Sequence, residues 1–558
     1  MNWSTACPDW EQRLINRQSI IPPPIFPTTA EYALSIFKKL RITDLPGKPT
    51  FGEVSEQWVF DFVLAIFGAY DERTGKQLIR EFYLLISKKN TKSTIAAGIM
   101  LTAVIICWRE DEEHLILAPT KEVADNSFKP AAGMVRAEPK LTAIFHVQDH
   151  IRTITHRATK ASLKVVAADT DTVSGKKSGR ILVDEHWLFG KRMNAEGMFM
   201  EATGGQISRD EGWIIYLTTQ SDEPPAGVFK DKIEYFRKVR DGDIHDPKSL
   251  GILYEFPRHM VKGKAYLQPE NFYITNPNEG RSVSAEWLAD NLKKVLGNTD
   301  GSLQKFLAKH LNIEIGLNLR ADRWPGADFW LSAEDCTVTL DEILAKSDVL
   351  TAGIDGGGLD DLLGFAVIGR DAEDSRIWRL WTRAWVHPIA LERRKTEAPR
   401  YRGFEKDGDL VIVEEIGDDI FDLCSLVERL EDSGLLDRIG VDPAGINDIV
   451  DAIVETGIDY ERVVGISQGW RMNGAIKAAE RRVAEKNLIH GGQPLMNWCV
   501  SNARVEPKGN AVLITKQASG TGKIDPLIAT LMAVALMAMD PEPRSTASVY
   551  EKRGVLAF

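Results

Sequence analysis

Cysteine is scarce, with five in 558 residues (Cys7, Cys107, Cys336, Cys424 and Cys499) and none in C-x-x-C spacing. Thiols scattered in this way argue against a disulfide framework or a zinc site and fit a reducing cytosol. Long hydrophobic runs are lacking too. The two longest, IAAGIMLTAVIIC at 95–107 and IATLMAVALMAM at 528–539, fall short of a membrane span, so both read as buried helices and no membrane partner is expected. The start, MNWSTACPDWEQ, has no cationic segment leading into an apolar one, and no signal peptide is expected. Positive charge is not in excess either. A net charge of −11 does not suggest a protein that coats nucleic acid, although local basic grooves and carboxylates gathered around metals remain open.

What is present is a chain too long for one ordinary core, 44% apolar and 27% charged, which reads as globular with two or three domains. Residues 1–49, Pro-rich around SIIPPPIFPTTAEYA, form an arm. From 50 to 245, short apolar runs (82–86, 114–120, 163–169, 179–185 and 213–220) alternate with helical periodicity, as in a parallel sheet covered on both faces. Residues 246–345 are more polar and are read as a connecting subdomain. A second strand-rich unit spans 346–540, with VLTAGIDGGG, LLGFAVIGRD and IWRLWTRAWV as neighbouring strands, another strand in LDRIGVDPAG, and a long helix through NGAIKAAERRVAEKNLI. A flexible tail is expected at 541–558.

The segment LLISKKNTKSTIAAGIM, 84–100, has the order strand, polar loop, small-residue helix, and carries Lys92 followed by Ser93. It has no glycine in the loop, where G-x-x-x-x-G-K-[ST] has two. Thr91 stands in place of the glycine before the lysine, so a basic surface turn is the competing reading. As a phosphate loop, Lys88, Lys89, Asn90, Thr91, Lys92 and Ser93 would face an anion. Lys92 would then reach the β/γ-phosphates and Ser93 would offer its hydroxyl to Mg²⁺. The run ILVDEH at 181–186 is an apolar strand ending in two carboxylates. Asp184 suits the Mg²⁺ shell, and Glu185 suits the orientation or deprotonation of water. Gln57 in VSEQWVF could read an adenine edge. Thr218, Thr219 and Gln220 at the end of a later strand could sense the γ-phosphate. Together these signals favour ATP hydrolysis in the first half.

A second chemical centre lies in 352–525. Asp355 ends a strand before a glycine hairpin, Asp442 ends another, and Asp525 opens an apolar helix. Three carboxylates on two strand tips and one helix suit two divalent ions about 4 Å apart acting on a phosphodiester. Oxygen ligands without a His/Cys set point to Mg²⁺ or Mn²⁺. Asp361 is a further candidate ligand. The sequential pattern is that of an RNase H-like nuclease.

With these residues in hand, the chain resembles the large terminase subunit of tailed bacteriophages over about residues 20–540. The motifs are PTFGEVSEQW, LISKKNTKST, LAPTKEVADNSF, RILVDEHWLF, YLTTQ, ITNPN and the aspartates of GIDGGG, GVDPAG and KIDPLIA. In that family the phosphate loop is already of the form basic-basic-x-G-K-[ST], from which KKNTKS departs at Thr91. The resemblance implies an α/β chain with an N-terminal P-loop (RecA/helicase-like) ATPase domain, a connecting subdomain and a C-terminal RNase H-like nuclease domain. It implies ATP with Mg²⁺ in the first site and two Mg²⁺ or Mn²⁺ in the second. The implied partners are double-stranded DNA, a small terminase subunit, the portal of a procapsid and other copies in a ring, a pentamer on the portal, in the host cell cytoplasm. Family motors complete the ATP site with an arginine; Lys88 stands where many members carry one, and Arg136 and Arg152 are candidates. A helicase–nuclease without a capsid, or a non-catalytic DNA-binding scaffold, are the rival readings.

Overall fold

The computed structural model describes residues 3–167, 178–192, 194–296, 302–315, 323–443, 447–508, 511–514 and 522–544. The chain divides into two units, Met1–Ile315 and Gly316–Phe558.

In the first unit the apolar runs become strands, because residues apolar on both faces have no solvent side and must sit inside a sheet. They are β1 (Glu81–Leu85), β2 (Glu113–Ala118), β3 (Phe145–Gln148), β4 (Thr153–His156), β5 (Ser162–Ala167), β6 (Ser178–Val183), β7 (Trp213–Thr218) and β8 (Ser249–Leu253). The sheet order is β8-β1-β7-β6-β2-β5-β4-β3. The six strands from β8 to β5 run parallel, and β4 and β3 close the far edge as an antiparallel hairpin. Of the expected run 163–169, the last two residues lie outside the described residues. β8 was not expected. Its short SLGIL run lies beyond the apparent change of composition at 245, yet it pairs with β1 from Ser249↔Glu81 to Leu253↔Leu85. The span read as a connecting subdomain, 246–345, is divided between the two units at residue 315.

In the second unit, β9 (Ser347–Gly356), β10 (Leu363–Asp371) and β11 (Trp378–Val386) form an antiparallel meander. β13 (Leu436–Val441) runs parallel to β9, and β14 (Val463–Gly465) parallel to β13. With β12 (Leu410–Ile412) on the outer edge, the order is β12-β11-β10-β9-β13-β14. Three antiparallel strands followed by parallel additions beside the first is the RNase H-like arrangement. The expected long helix through 473–489 is corrected here. It ends at Ala484, and Leu488–His490 is instead a strand, β15, parallel to β11. The sequence ERRVAEKN has no glycine to signal that stop, and sheet pairing overrides its helical propensity. The final helix, Asp525–Met537, is buried almost throughout and starts with Pro526 in its first turn, where a missing N–H costs nothing. Of the expected tail, residues 545–558 lie outside the described residues.

Asp525 is placed by close approach. Gly353 on β9 faces the Ala529 carbonyl, and Gly364 on β10 faces the backbone of Asp525 and Pro526. A Cβ at either position would overlap that backbone. Gly353→Val is therefore expected to destabilise the second unit by about 3 kcal/mol, since overpacking against backbone cannot be relieved by a rotamer change. Thermal unfolding should show a lowered transition for this unit, with ATP hydrolysis retained at ordinary temperature.

Candidate functional site

The phosphate loop connects β1 to the helix Lys92–Ile105. Lacking glycine, it reaches its shape with two side-chain-bearing residues in the left-handed region, Lys89 (φ 72°) and Thr91 (φ 57°). For a β-branched residue this costs roughly 1–2 kcal/mol. An asparagine clamp holds the loop there. Buried Asn90 donates through Nδ2 to the Ser87 carbonyl at 3.0 Å and to Asn276 Oδ1 at 2.9 Å, while its Oδ1 accepts from the Asn278 backbone N–H at 3.0 Å. Asn278 Nδ2 in turn donates to the Asn90 carbonyl and to Thr91 Oγ1, both at 3.0 Å, and Trp58 Nε1 donates to Asn278 Oδ1 at 2.8 Å. The ITNPN segment is thus the outer wall of the loop.

Lys92 opens the helix and points at the end of β6. Its Nζ lies 2.6 Å from Glu185 Oε1, with both side chains nearly buried. Glu185, at φ 51°, also accepts from Trp187 Nε1 at 2.6 Å. Burial alone would raise its carboxyl, but the Lys92 charge and these hydrogen bonds outweigh that and hold it below the ordinary value. Asp184 is fully buried and accepts from Ser127 Oγ at 2.8 Å, with Ser93 also hydrogen-bonded to it. Here burial prevails over the nearby Lys92 charge, and the carboxyl is raised. A buried carboxylate beside a serine hydroxyl is a fitting pair of oxygen donors for Mg²⁺.

The strand-end residues Thr218, Thr219 and Gln220 are buried beside this pair. Thr218 Oγ1 accepts from the Trp187 N–H at 3.1 Å, and Thr219 Oγ1 donates to the Gln220 carbonyl at 3.3 Å. Gln57 is exposed at the first turn of the helix Gln57–Phe67 and donates to Asp61 Oδ1 at 2.8 Å. It lines a cavity of about 320 Å³ with Arg17, Tyr273 and Asn276, which places it next to the loop's outer wall. Lys88 donates its backbone N–H to the Lys309 carbonyl at 2.7 Å. Arg152 is held by both oxygens of Asp125, and Arg136 pairs with Asp149.

Sequence reasoning missed Lys309. It lies on the helix Ser302–Leu311, buried, with Nζ over the Trp187 indole and donating to the Gln220 carbonyl at 2.8 Å. Burial lowers its ammonium from the ordinary 10.5 to about 7, against the attraction of Asp222 and Glu185. The only sequence signal is a lysine in the helical run FLAKHL, among residues that pack inward.

In the second unit, Asp355 is the penultimate residue of β9 and Asp442 directly follows β13. The pairing Ile354↔Val441 sets the two side by side at the ends of adjacent parallel strands. Asp525, fully buried, lies against Gly356. Gln468, also missed, joins the first two: its Nε2 donates to Asp355 Oδ1 at 2.8 Å and to Asp442 Oδ2 at 2.7 Å. Asp361 pairs instead with Lys523 Nζ at 2.6 Å. Among the described residues no three His, Cys, Asp or Glu side chains are gathered closely enough to hold a metal ion as they stand. The donor set still fits a hard cation, since Asp355 and Asp442 converge on one N–H donor group and offer carboxylate oxygens that would hold one.

A P-loop ATPase joined in one chain to an RNase H-like nuclease is the class these two units define. Comparison with known proteins agrees. The family model described as terminase large subunit, ATPase domain, matches residues 58–238, and that of the terminase large subunit, endonuclease domain, matches residues 427–541. The chain is 24% identical over 501 residues to the terminase large subunit of Enterobacteria phage HK97, covering 85% of this chain and 88% of that one. It is 22% identical over 504 residues to the terminase large subunit of Lactococcus phage p2, covering 87% of each. The crystal structure of the HK97 large terminase aligns over 91% of this chain and 99% of its own at 20% identity, with a TM-score of 0.45. The chain belongs to the terminase large subunits, and is an ATPase and an endonuclease of phage DNA packaging. Nucleotide and divalent metal are the general requirements of those two activities.

Two outcomes follow from this geometry. Between pH 7 and 10.5 the folded protein sheds the Lys309 proton that the unfolded chain keeps, so stability gains from this group as pH rises through that window. Urea unfolding of nucleotide-free protein should therefore show a stability–pH slope in that range that Lys309→Met lacks. Thr91→Gly relieves roughly 1–2 kcal/mol of left-handed strain, against which stand the lost acceptor for Asn278 and the freer unfolded chain, together of about the same size. Its unfolding midpoint should stay close to wild type and its ATPase rate should be equal or faster; a large loss of rate would show that the threonine itself is needed.

Proposed function

We propose that this protein is a genome-packaging motor, in which ATP hydrolysis drives double-stranded DNA through the portal of a procapsid and a two-metal endonuclease cuts concatemeric DNA. The observation that carries the reading is the pair formed by Lys92, at the start of its helix, and Glu185, just past the end of β6, in a chain that also sets Asp355 beside Asp442. Lys92 and Glu185 neutralise each other when no nucleotide is bound. Triphosphate oxygens would draw Lys92 away, leaving Glu185 to orient or deprotonate a water, with Ser93 and Asp184 as the Mg²⁺ donors. The Gln57 cavity is the place for the base, and Thr219 lies where the γ-phosphate would be sensed. Lys88, Lys89, Asn90 and Thr91 present the loop backbone to the phosphates.

In the nuclease, Asp355, Asp442 and Asp525 are the proposed ligands of two Mg²⁺ or Mn²⁺, which when bound would supply an activated water and stabilise the leaving oxygen. Asp361, held by Lys523, is proposed in an outer role. A helicase–nuclease would need a second parallel motor core, and the second unit is instead built on an antiparallel meander. The proposed partners are a small terminase subunit that recognises DNA, the portal and further copies of this chain, five in a ring, in the host cytoplasm. No helix among the described residues is long and apolar enough to cross a membrane.

Lys92→Ala and Glu185→Ala should each lower DNA-stimulated ATP hydrolysis by about 100-fold or more, with Glu185→Ala still binding ATP. Asp355→Ala, Asp442→Ala and Asp525→Ala should each cut plasmid DNA orders of magnitude more slowly while hydrolysing ATP at a near wild-type rate. Asp361→Ala should be milder. Collapse of both activities in all three aspartate variants would mean that these residues hold the fold and not metals.

A further inference from the structure

Gln468 lies in the turn between β14 and the helix Asn473–Ala484. Two carboxylates on adjacent parallel strands repel one another, and a cation between them relieves this. In this chain a neutral amide stands between them, its single nitrogen donating to Asp355 at 2.8 Å and to Asp442 at 2.7 Å. The same turn ends in an exposed pair. Trp470 is 65% exposed, and the Arg471 guanidinium lies over its ring, 5.4 Å from the centroid. A large aromatic left in solvent two residues after the glutamine that touches both carboxylates is poorly explained by packing. An aromatic face with an adjacent cation is well suited to nucleic acid, through stacking and phosphate contact.

We propose that Gln468 is a positioning residue that reserves the cation's place between Asp355 and Asp442, and that Trp470 and Arg471 are the DNA contact that releases it. DNA seated on Trp470–Arg471 draws the turn outward, and the amide leaves with it. The place the amide held between the two carboxylates, already in register, then passes to a divalent cation. The nuclease is thereby kept from loading metal productively until its substrate is in place. This inference rests on the nuclease reading of Asp355 and Asp442 and adds to it the residue that controls their occupancy.

The test uses the full chain. Calorimetric titration with Mn²⁺ in the absence of DNA should show Gln468→Ala binding about tenfold more tightly than wild type, since the cation no longer displaces two hydrogen bonds to charged groups. Gln468→Asn, one methylene shorter, should behave the same way and guards against a fold defect in the alanine variant. In plasmid cleavage, Trp470→Ala should need a higher Mn²⁺ concentration for half-maximal rate. The double variant Gln468→Ala/Trp470→Ala should lose that requirement, because no latch remains to release. Equal or weaker Mn²⁺ binding in both Gln468 variants, or a double variant that still behaves as Trp470→Ala, would overturn the latch. Binding by wild type that Asp355→Ala leaves unchanged would instead overturn the nuclease reading beneath it.

Discussion

The first unit depends on one interaction, the nearly buried ion pair between Lys92 and Glu185. Neither charge could be left there alone, because removing one partner strands the other in a medium that solvates it poorly. The surroundings are arranged to keep both. Trp187 gives its indole N–H to the second carboxylate oxygen, and the Asn90–Asn278 clamp fixes the loop from which Lys92 starts. A pair held this way is stable yet exchangeable. Any anion that satisfies Lys92 better frees Glu185, which is what an ATPase needs of a resting site.

Both units gather carboxylates at strand ends, Asp184 and Glu185 together after β6 and Asp355 and Asp442 on two parallel neighbours, and both must offset the resulting repulsion. The first does so with cations, Lys92 in contact and Lys309 nearby. The second sets the neutral Gln468 amide between two carboxylates, donating to one oxygen of each. The difference suits the ligands. An incoming triphosphate is itself anionic and is met by positive groups, whereas an incoming divalent cation would be opposed by them.

Much of the fold was legible because strands buried on both faces are written as unbroken apolar runs, as in FYLLI, ILVDE and WIIYLTT. The aspartates were legible for the same reason: each is a charge that abruptly ends such a run or begins a buried helix. β8 was not, since its five residues gain their place only by pairing with β1. β15 was hidden behind a continuous helical pattern that sheet pairing interrupts. In the sites, the residues supplied by the strand tips could be read from local order. Asn276, Asn278, Lys309 and Gln468 could not be assigned roles in that way, because each acts on a partner far away in sequence. Asp361 was read as a further ligand from its proximity to Asp355, and its pairing with Lys523, two residues before Asp525, could not be read that way.

The missing glycine is the clearest case of tertiary structure doing what local sequence does elsewhere. Glycine would let the loop adopt a positive φ at no steric cost, but would leave it loose. Here Thr91 accepts the strain and the Asn278 amide holds it in place. The clamp has a consequence beyond rigidity. Asn276 Nδ2 also donates to the His310 carbonyl at 2.9 Å, and the Lys88 N–H to the carbonyl of Lys309. Loop, ITNPN segment and the helix Ser302–Leu311 are therefore one hydrogen-bonded body. A glycine loop could adjust to nucleotide by itself. This loop cannot change shape without straining its bonds to that helix, so the work done on it by a bound triphosphate has a route to structure outside the site.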